Sequence, residues 1–141
     1  MTEAAPAAVL LDTRAAIWLV IGAPMSPLSR TAIAAAQRNA SVYVSPITAW
    51  EIGTLVARNR LQLTLAPETW FAALIDLPGV RLAPMGPELL IASAFLPGNP
   101  PRDPADRIIA ATARAYNLAI VTRDSELIPY GGAGHIVTIT S

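Results

Sequence analysis

The sequence predicts an α/β fold in which a central, mainly parallel five-stranded sheet is covered by helices on both faces. Three observations predict it. Five short apolar bursts recur along the chain. Stretches with helical spacing separate them, and strand–helix alternation of this kind is the pattern of a parallel sheet. Three of those helical stretches open on Ser26-Pro27, Ser45-Pro46 and Asp103-Pro104, a capping residue followed by proline at the first helical position.

The elements follow in order. Ala7–Leu11 reads as a short buried strand, and Arg14–Ile21 as the helix leaving it. A second helix runs from Pro27 to about Arg38, and Val42–Val44 is the second strand. From Pro46 a helix continues to about Arg58, and Pro67–Leu77 forms another. Val80–Ala83 is the third strand, and Pro87–Phe95 is helical. "LPGNPPRDP" (Leu96–Pro104) is rich in turn formers and irregular. A helix then runs to about Tyr116, followed by the strands Leu118–Thr122 and Ile136–Ile139. Crossovers in such a sheet are right-handed. Ligands bind beyond the carboxyl ends of the strands.

Composition removes several chemistries. At 141 residues, 53% hydrophobic and 14% charged, the chain can bury one core, so a single domain over residues 1–141 is expected. Net charge is zero, so no global field points to nucleic acid, though a local patch remains open. Every basic side chain is Arg, which leaves no lysine for a phosphate loop, a Schiff base or a receiver domain. There is no cysteine, and the one histidine, His135, lies among glycines as a surface-loop residue. Disulfides, thiolate chemistry and multi-histidine metal sites are therefore out. Ala15–Ala23 lacks the positive start and uninterrupted length of a signal peptide, with Glu3 and Asp12 ahead of it. No apolar run reaches the roughly 18 to 20 residues of a membrane span. A soluble cytoplasmic protein is expected.

Four acids stand out. Asp12 ends "AVLLD", and Asp124 follows "LAIVTR". Both should project at the carboxyl edge of the sheet. Helix capping accounts readily for Asp124, ahead of "SEL", and less readily for Asp12 in its apolar setting. Glu51 shares a helix face with Ile47 and Leu55, which puts it either at the border of the apolar stripe, the slightly favoured reading, or facing a polar pocket. In "DPADRIIAATA" Asp103 reads as the helix cap, and Asp106 as an acid in the first turn. Packing Ile109, Ala110 and Ala113 on the sheet would turn Asp106 inward, close to Asp12 and Asp124. Clustered carboxylates stay ionised only with a cation between them, and an all-oxygen set suits Mg²⁺ or Mn²⁺. Such an ion can activate water against a phosphodiester, chemistry that needs no Lys, His or Cys. Asp12 is therefore expected to be compensated by an ion held among these acids rather than by a core hydrogen bond.

"LLDTRAAIWLV", "SPITAWEIGTLVARNRL" and "DPADRIIAATARAYNLAIVTRD" together resemble the PIN-domain ribonucleases, most closely the VapC-type toxins of bacterial toxin–antitoxin pairs. The resemblance spans nearly the whole chain. It implies a three-layer α/β/α PIN-like fold and an Mg²⁺-dependent endoribonuclease that works as a homodimer with a VapB-type antitoxin. It implies Asp12 and Asp106 as the direct metal ligands, with Glu51 and Asp124 completing the catalytic acids and Thr13 and Thr122 as supporting hydroxyls. Many relatives carry His where Arg14 stands, a departure that bears on how RNA or the antitoxin is held. Arg14, Arg107 and Arg123 each adjoin one of the acids, as RNA-phosphate grips or as salt-bridge partners in equal measure. Trp18, Trp50 and Trp70 fit core or interface better than base stacking. A PIN-like binding or regulatory module with a degenerate site is the alternative. A receiver domain, an aspartyl phosphatase and a glycine-loop nucleotide fold fit poorly, for want of a lysine, of a second Asp at position 14, and of a glycine-rich loop after the first strand.

Overall fold

The computed structural model describes residues 7–141. Glu3 and the start of the 1–141 domain span lie outside the described residues. The strands are β1 (Val9–Leu11), β2 (Val42–Val44), β3 (Val80–Leu82), β4 (Ala119–Thr122) and β5 (Val137–Thr140). The helices are α1 (Thr13–Ile21), α2 (Pro27–Arg38), α3 (Pro46–Ala57), α4 (Pro67–Asp76), α5 (Pro87–Ala94), α6 (Pro104–Tyr116) and α7 (Leu127–Gly132).

The five strands form one sheet in the order β3-β2-β1-β4-β5. All four pairings are parallel, so "mainly parallel" becomes wholly parallel. Strand alternation divides the core between the two faces. Val9, Leu11 and Val121 face Ala15, Ile33, Ile52, Trp70 and Leu74 of α1–α4. Leu10 and Ile120 face Ile109, Ala110 and Ala113 of α6 and Leu127 and Tyr130 of α7. The central strands β1 and β4 are buried throughout, as strands covered on both faces must be. The edge strands β3 and β5 are largely open.

Serine and aspartate open the helices where the sequence predicts. Ser26 accepts from the Ser29 N–H, Ser45 from Ile47 and Asp103 from Asp106, each with proline following. Two differences concern the C-terminal region. Helix α7 goes beyond the sequence reading, which offers only a helical turn capped by Asp124 ahead of "SEL". Pro129 falls in the first turn, where its missing N–H costs nothing, and Leu127 and Tyr130 anchor the helix by burial. Strand β5 begins at Val137, because Val137 pairs with Ala119 while Ile136 packs into the core ahead of it.

Candidate functional site

The strand order reverses between β1 and β4, the neighbours at the centre of the sheet. Beyond their carboxyl ends lies a cavity of about 450 Å³ lined by Asp12, Thr13, Arg14, Glu51, Asp103, Asp106, Arg123, Asp124 and Ser125. The crevice at a switch point of an open parallel sheet is where such folds bind ligands.

Asp12 stands at the joint of β1 and α1 and is nearly buried, at 6% exposed. Its backbone N–H extends the sheet ladder to the Val121 carbonyl. Its Oδ1 accepts from the Ala15 N–H at 2.8 Å and so caps α1. Its Oδ2 accepts from the Thr122 hydroxyl at 2.5 Å. This corrects the expectation that no core hydrogen bond compensates Asp12. Both bonds are present, because the end of a buried strand leaves the first N–H groups of α1 in need of an acceptor. They offset only part of the desolvation, which still holds the Asp12 carboxyl above its ordinary range.

Thr122 couples two of the acids. Its hydroxyl donates to Asp12 and accepts from the Asp124 N–H at 2.9 Å. Asp124 Oδ2 in turn accepts from the Glu126 and Leu127 N–H groups, so the capping reading of Asp124 is realised while the residue also lines the cavity.

Glu51 is half-buried on α3, at the border of the buried pair Thr48 and Ile52. Border and pocket prove to be one place, since that border faces the cavity. The Thr13 hydroxyl donates to Glu51 Oε1 at 2.5 Å and lies 3.1 Å from the Thr48 hydroxyl. A hydroxyl has one proton, so with Thr13 donating to the carboxylate, Thr48 is the donor to Thr13. Burial pushes the Glu51 carboxyl up, and the charges of Asp103 and Asp12 add to that. Thr48, fully buried, escaped the sequence reading, although T-x-x-E puts it one turn ahead of Glu51.

Asp106 differs from its neighbours. Its backbone N–H donates to the Asp103 carboxylate, but its own carboxylate accepts no hydrogen bond among the described residues. Its pKa is pushed up to about 8, first by burial and then by the charges of Asp124, Asp103, Glu51 and Asp12. No arginine relieves it, since the one ion pair among the described residues joins Arg102 to Glu126.

The arginines divide. Arg14 is exposed on the cavity wall and makes no hydrogen bond among the described residues. Arg107 does not line the cavity and forms no ion pair with an acid among the described residues, which corrects the salt-bridge reading. It donates to the carbonyls of Ser93, Ala94 and Pro101 at 3.0, 3.2 and 3.1 Å, because the last turn of α5 leaves carbonyls without helical partners. Arg123 touches the cavity, yet its guanidinium lies 4.2 Å over the Trp18 ring and donates to the Ser141 and Pro24 carbonyls. Trp70 is core and Trp50 is exposed. His135 lies in a loop as expected, half-buried rather than free, stacked on Tyr130 at 4.8 Å and against Gly98.

The donor set is all oxygen and anionic, and none of its carboxylates is in an ion pair among the described residues, which fits a hard divalent ion. Among the described residues no three carboxylates converge closely enough to hold one ion as they stand. Mg²⁺ does not demand that, because it is commonly bound by one or two carboxylates, with water and phosphate completing its shell.

Residues 9–132 match the family model described as PIN domain. Over 119 residues the chain is 33% identical to Ribonuclease VapC22 of Mycobacterium tuberculosis, covering 84% of this chain and 88% of that protein. VapBC2 from Rickettsia felis, solved bound to a DNA fragment from their promoter, is similar with a TM-score of 0.64 at 14% identity, covering 93% of this chain and 96% of that one. FitAcB from Neisseria gonorrhoeae is similar with a TM-score of 0.53 at 21% identity, covering 94% and 96%. These two likenesses show a shared fold.

Proposed function

The chain belongs to the PIN-domain family, among the VapC-type toxins, and from that premise we propose that it is a metal-dependent endoribonuclease and the toxin of a toxin–antitoxin pair. The observation that carries this reading is the meeting of Asp12, Glu51, Asp106 and Asp124, from four separate segments, around one cavity at the switch point, none of them in an ion pair among the described residues. The likeness to Ribonuclease VapC22 supports the activity. The reading takes residues 1–141 as a single PIN domain; the family match covers every element except β5.

Asp12 and Asp106 would hold the divalent ion, Mg²⁺ or Mn²⁺, with Glu51 and Asp124 in support. When bound, such an ion supplies a Lewis acid for water and for phosphate oxygens. Asp12 presents its carboxylate in a fixed orientation, since Ala15 and Thr122 each hold one oxygen. Asp106 brings the carboxylate with free lone pairs. Glu51, aimed by Thr13, and Asp124, which lines the same cavity, would position the ion or the attacking water. Arg14 grips an RNA phosphate at the rim; Arg107 and Arg123 are assigned to structure instead.

The VapBC2 likeness supports a VapB-type antitoxin as partner. A homodimer belongs to the same proposal, supported by Ile91 and Phe95, 63% and 82% exposed on or beside α5. Among the described residues no helix is long and apolar enough to cross a membrane, and a cytoplasmic location goes with RNA as substrate. The degenerate-module alternative is favoured by one observation, the lack of a preformed three-carboxylate site among the described residues.

Purified protein is expected to cleave RNA with Mg²⁺ or Mn²⁺ and to stop with EDTA. Asp12→Asn should abolish both cleavage and metal binding while keeping the fold. Undiminished cleavage by that variant would overturn the mechanism.

A further inference from the structure

A cavity ringed by five carboxylates repels a polyanion, so a nuclease built on it needs cations placed to anchor the strand. Two arginines near this edge are engaged elsewhere. Arg107 is bound to three carbonyls, and Arg123 to two carbonyls and the Trp18 face. Arg14 and Arg102 are the ones left with exposed guanidinium groups beside the acids.

Arg102 does not line the acidic cavity. It lines a second one of about 380 Å³, together with Asn99, Pro100, Ser125, Glu126 and Pro129. Ser125 lines both, so the two cavities adjoin. The Arg102 side chain is 95% exposed, and its Nε meets Glu126 Oε1 at 3.4 Å. An exposed pair of this length is worth about 1 kcal/mol or less and gives way readily to a stronger anion. The two terminal nitrogens remain as a fork for phosphate.

The neighbouring loop is held in place. The Tyr130 hydroxyl donates to the Pro97 carbonyl at 2.7 Å, and Arg107 holds the Pro101 carbonyl. Between those tethers Asn99 is exposed, and its carboxamide makes no hydrogen bond among the described residues. An unengaged carboxamide offers donor and acceptor together, the pattern that reads a base edge in single-stranded RNA.

We propose that single-stranded RNA crossing the acidic cavity continues past Ser125 into this second cavity, where Arg102 holds the phosphate of the flanking nucleotide and Asn99 reads its base. The assignment rests on the nuclease reading above. It makes the loop between α5 and α6 a specificity element.

The test uses a fluorescent single-stranded RNA and the full chain carrying Asp106→Asn to suppress cleavage. In that background Arg102→Ala should weaken binding about tenfold, the loss of one charge-assisted contact. It should also lower the slope of log affinity against log salt by about 0.7, one phosphate on a single strand. In the otherwise native chain Arg102→Ala should raise KM and leave kcat unchanged. Asn99→Ala should broaden the base preference beside the cut, read by sequencing the ends of a cleaved random pool. If the native chain cleaves RNA and Arg102→Ala changes neither KM nor the salt slope, the second cavity is not part of the RNA path. If the native chain neither cleaves nor binds RNA with a divalent ion present, the nuclease reading fails and the subsite with it.

Discussion

Asp106 is the carboxylate with most to gain from a cation. It accepts no hydrogen bond among the described residues, and its pKa is pushed up to about 8. The unfolded chain loses the same proton near pH ~4. Between those values the folded state binds more protons than the unfolded state, so stability falls as pH rises. Without divalent ions, the melting temperature should therefore decline from about pH 4 to about pH 8, and Asp106→Asn should flatten the decline. Mn²⁺ or Mg²⁺ should stabilise most at the alkaline end, because the ion binds the deprotonated site. A melting curve set that is flat in pH would show that the acids do not confront one another. Asp12 shows why single residues were only half legible. Its apolar neighbours mark it as unusual, but the Thr122 hydroxyl that holds it lies 110 residues away along the chain.

Helix α6 sets two of the cavity acids at its start, Asp103 as its cap and Asp106 on its first turn, and Arg107 fastens that turn to the end of α5. The guanidinium serves carbonyls that the last turn of α5 and the Pro101 loop cannot satisfy themselves. Arg107→Ala should destabilise the fold by about 2 kcal/mol, the scale of hydrogen bonds to a charged group. Arg107→Lys should recover only part, since one ammonium cannot span three acceptors placed for a planar fork. Denaturant unfolding measures both, and an unchanged midpoint for Arg107→Ala would remove the clamp. Elements with local signals were legible: Ser26, Ser45 and Asp103 each announce a helix that forms. Helix α7 was not, because its stability comes from burying Leu127 and Tyr130 against another part of the chain.

At the scale of the molecule, the sheet order places β1 beside β4 and so brings the two strand-end aspartates together. Expression of the chain without an antitoxin should arrest growth, and Asp106→Asn should relieve the arrest. Growth unaffected by the native chain would favour the degenerate binding module. The sequence by itself determined the elements other than α7, their alternation and the identity of the acids. Those rest on hydrophobic period, capping chemistry and the cost of placing a carboxylate at the end of a buried strand. Tertiary structure alone decided which hydroxyl holds which acid, that Arg107 and Arg123 turn to backbone carbonyls, and that Arg102 stands over a second cavity. Such choices depend on unpaired donors and acceptors meeting across distant segments, and no local window of sequence contains both partners.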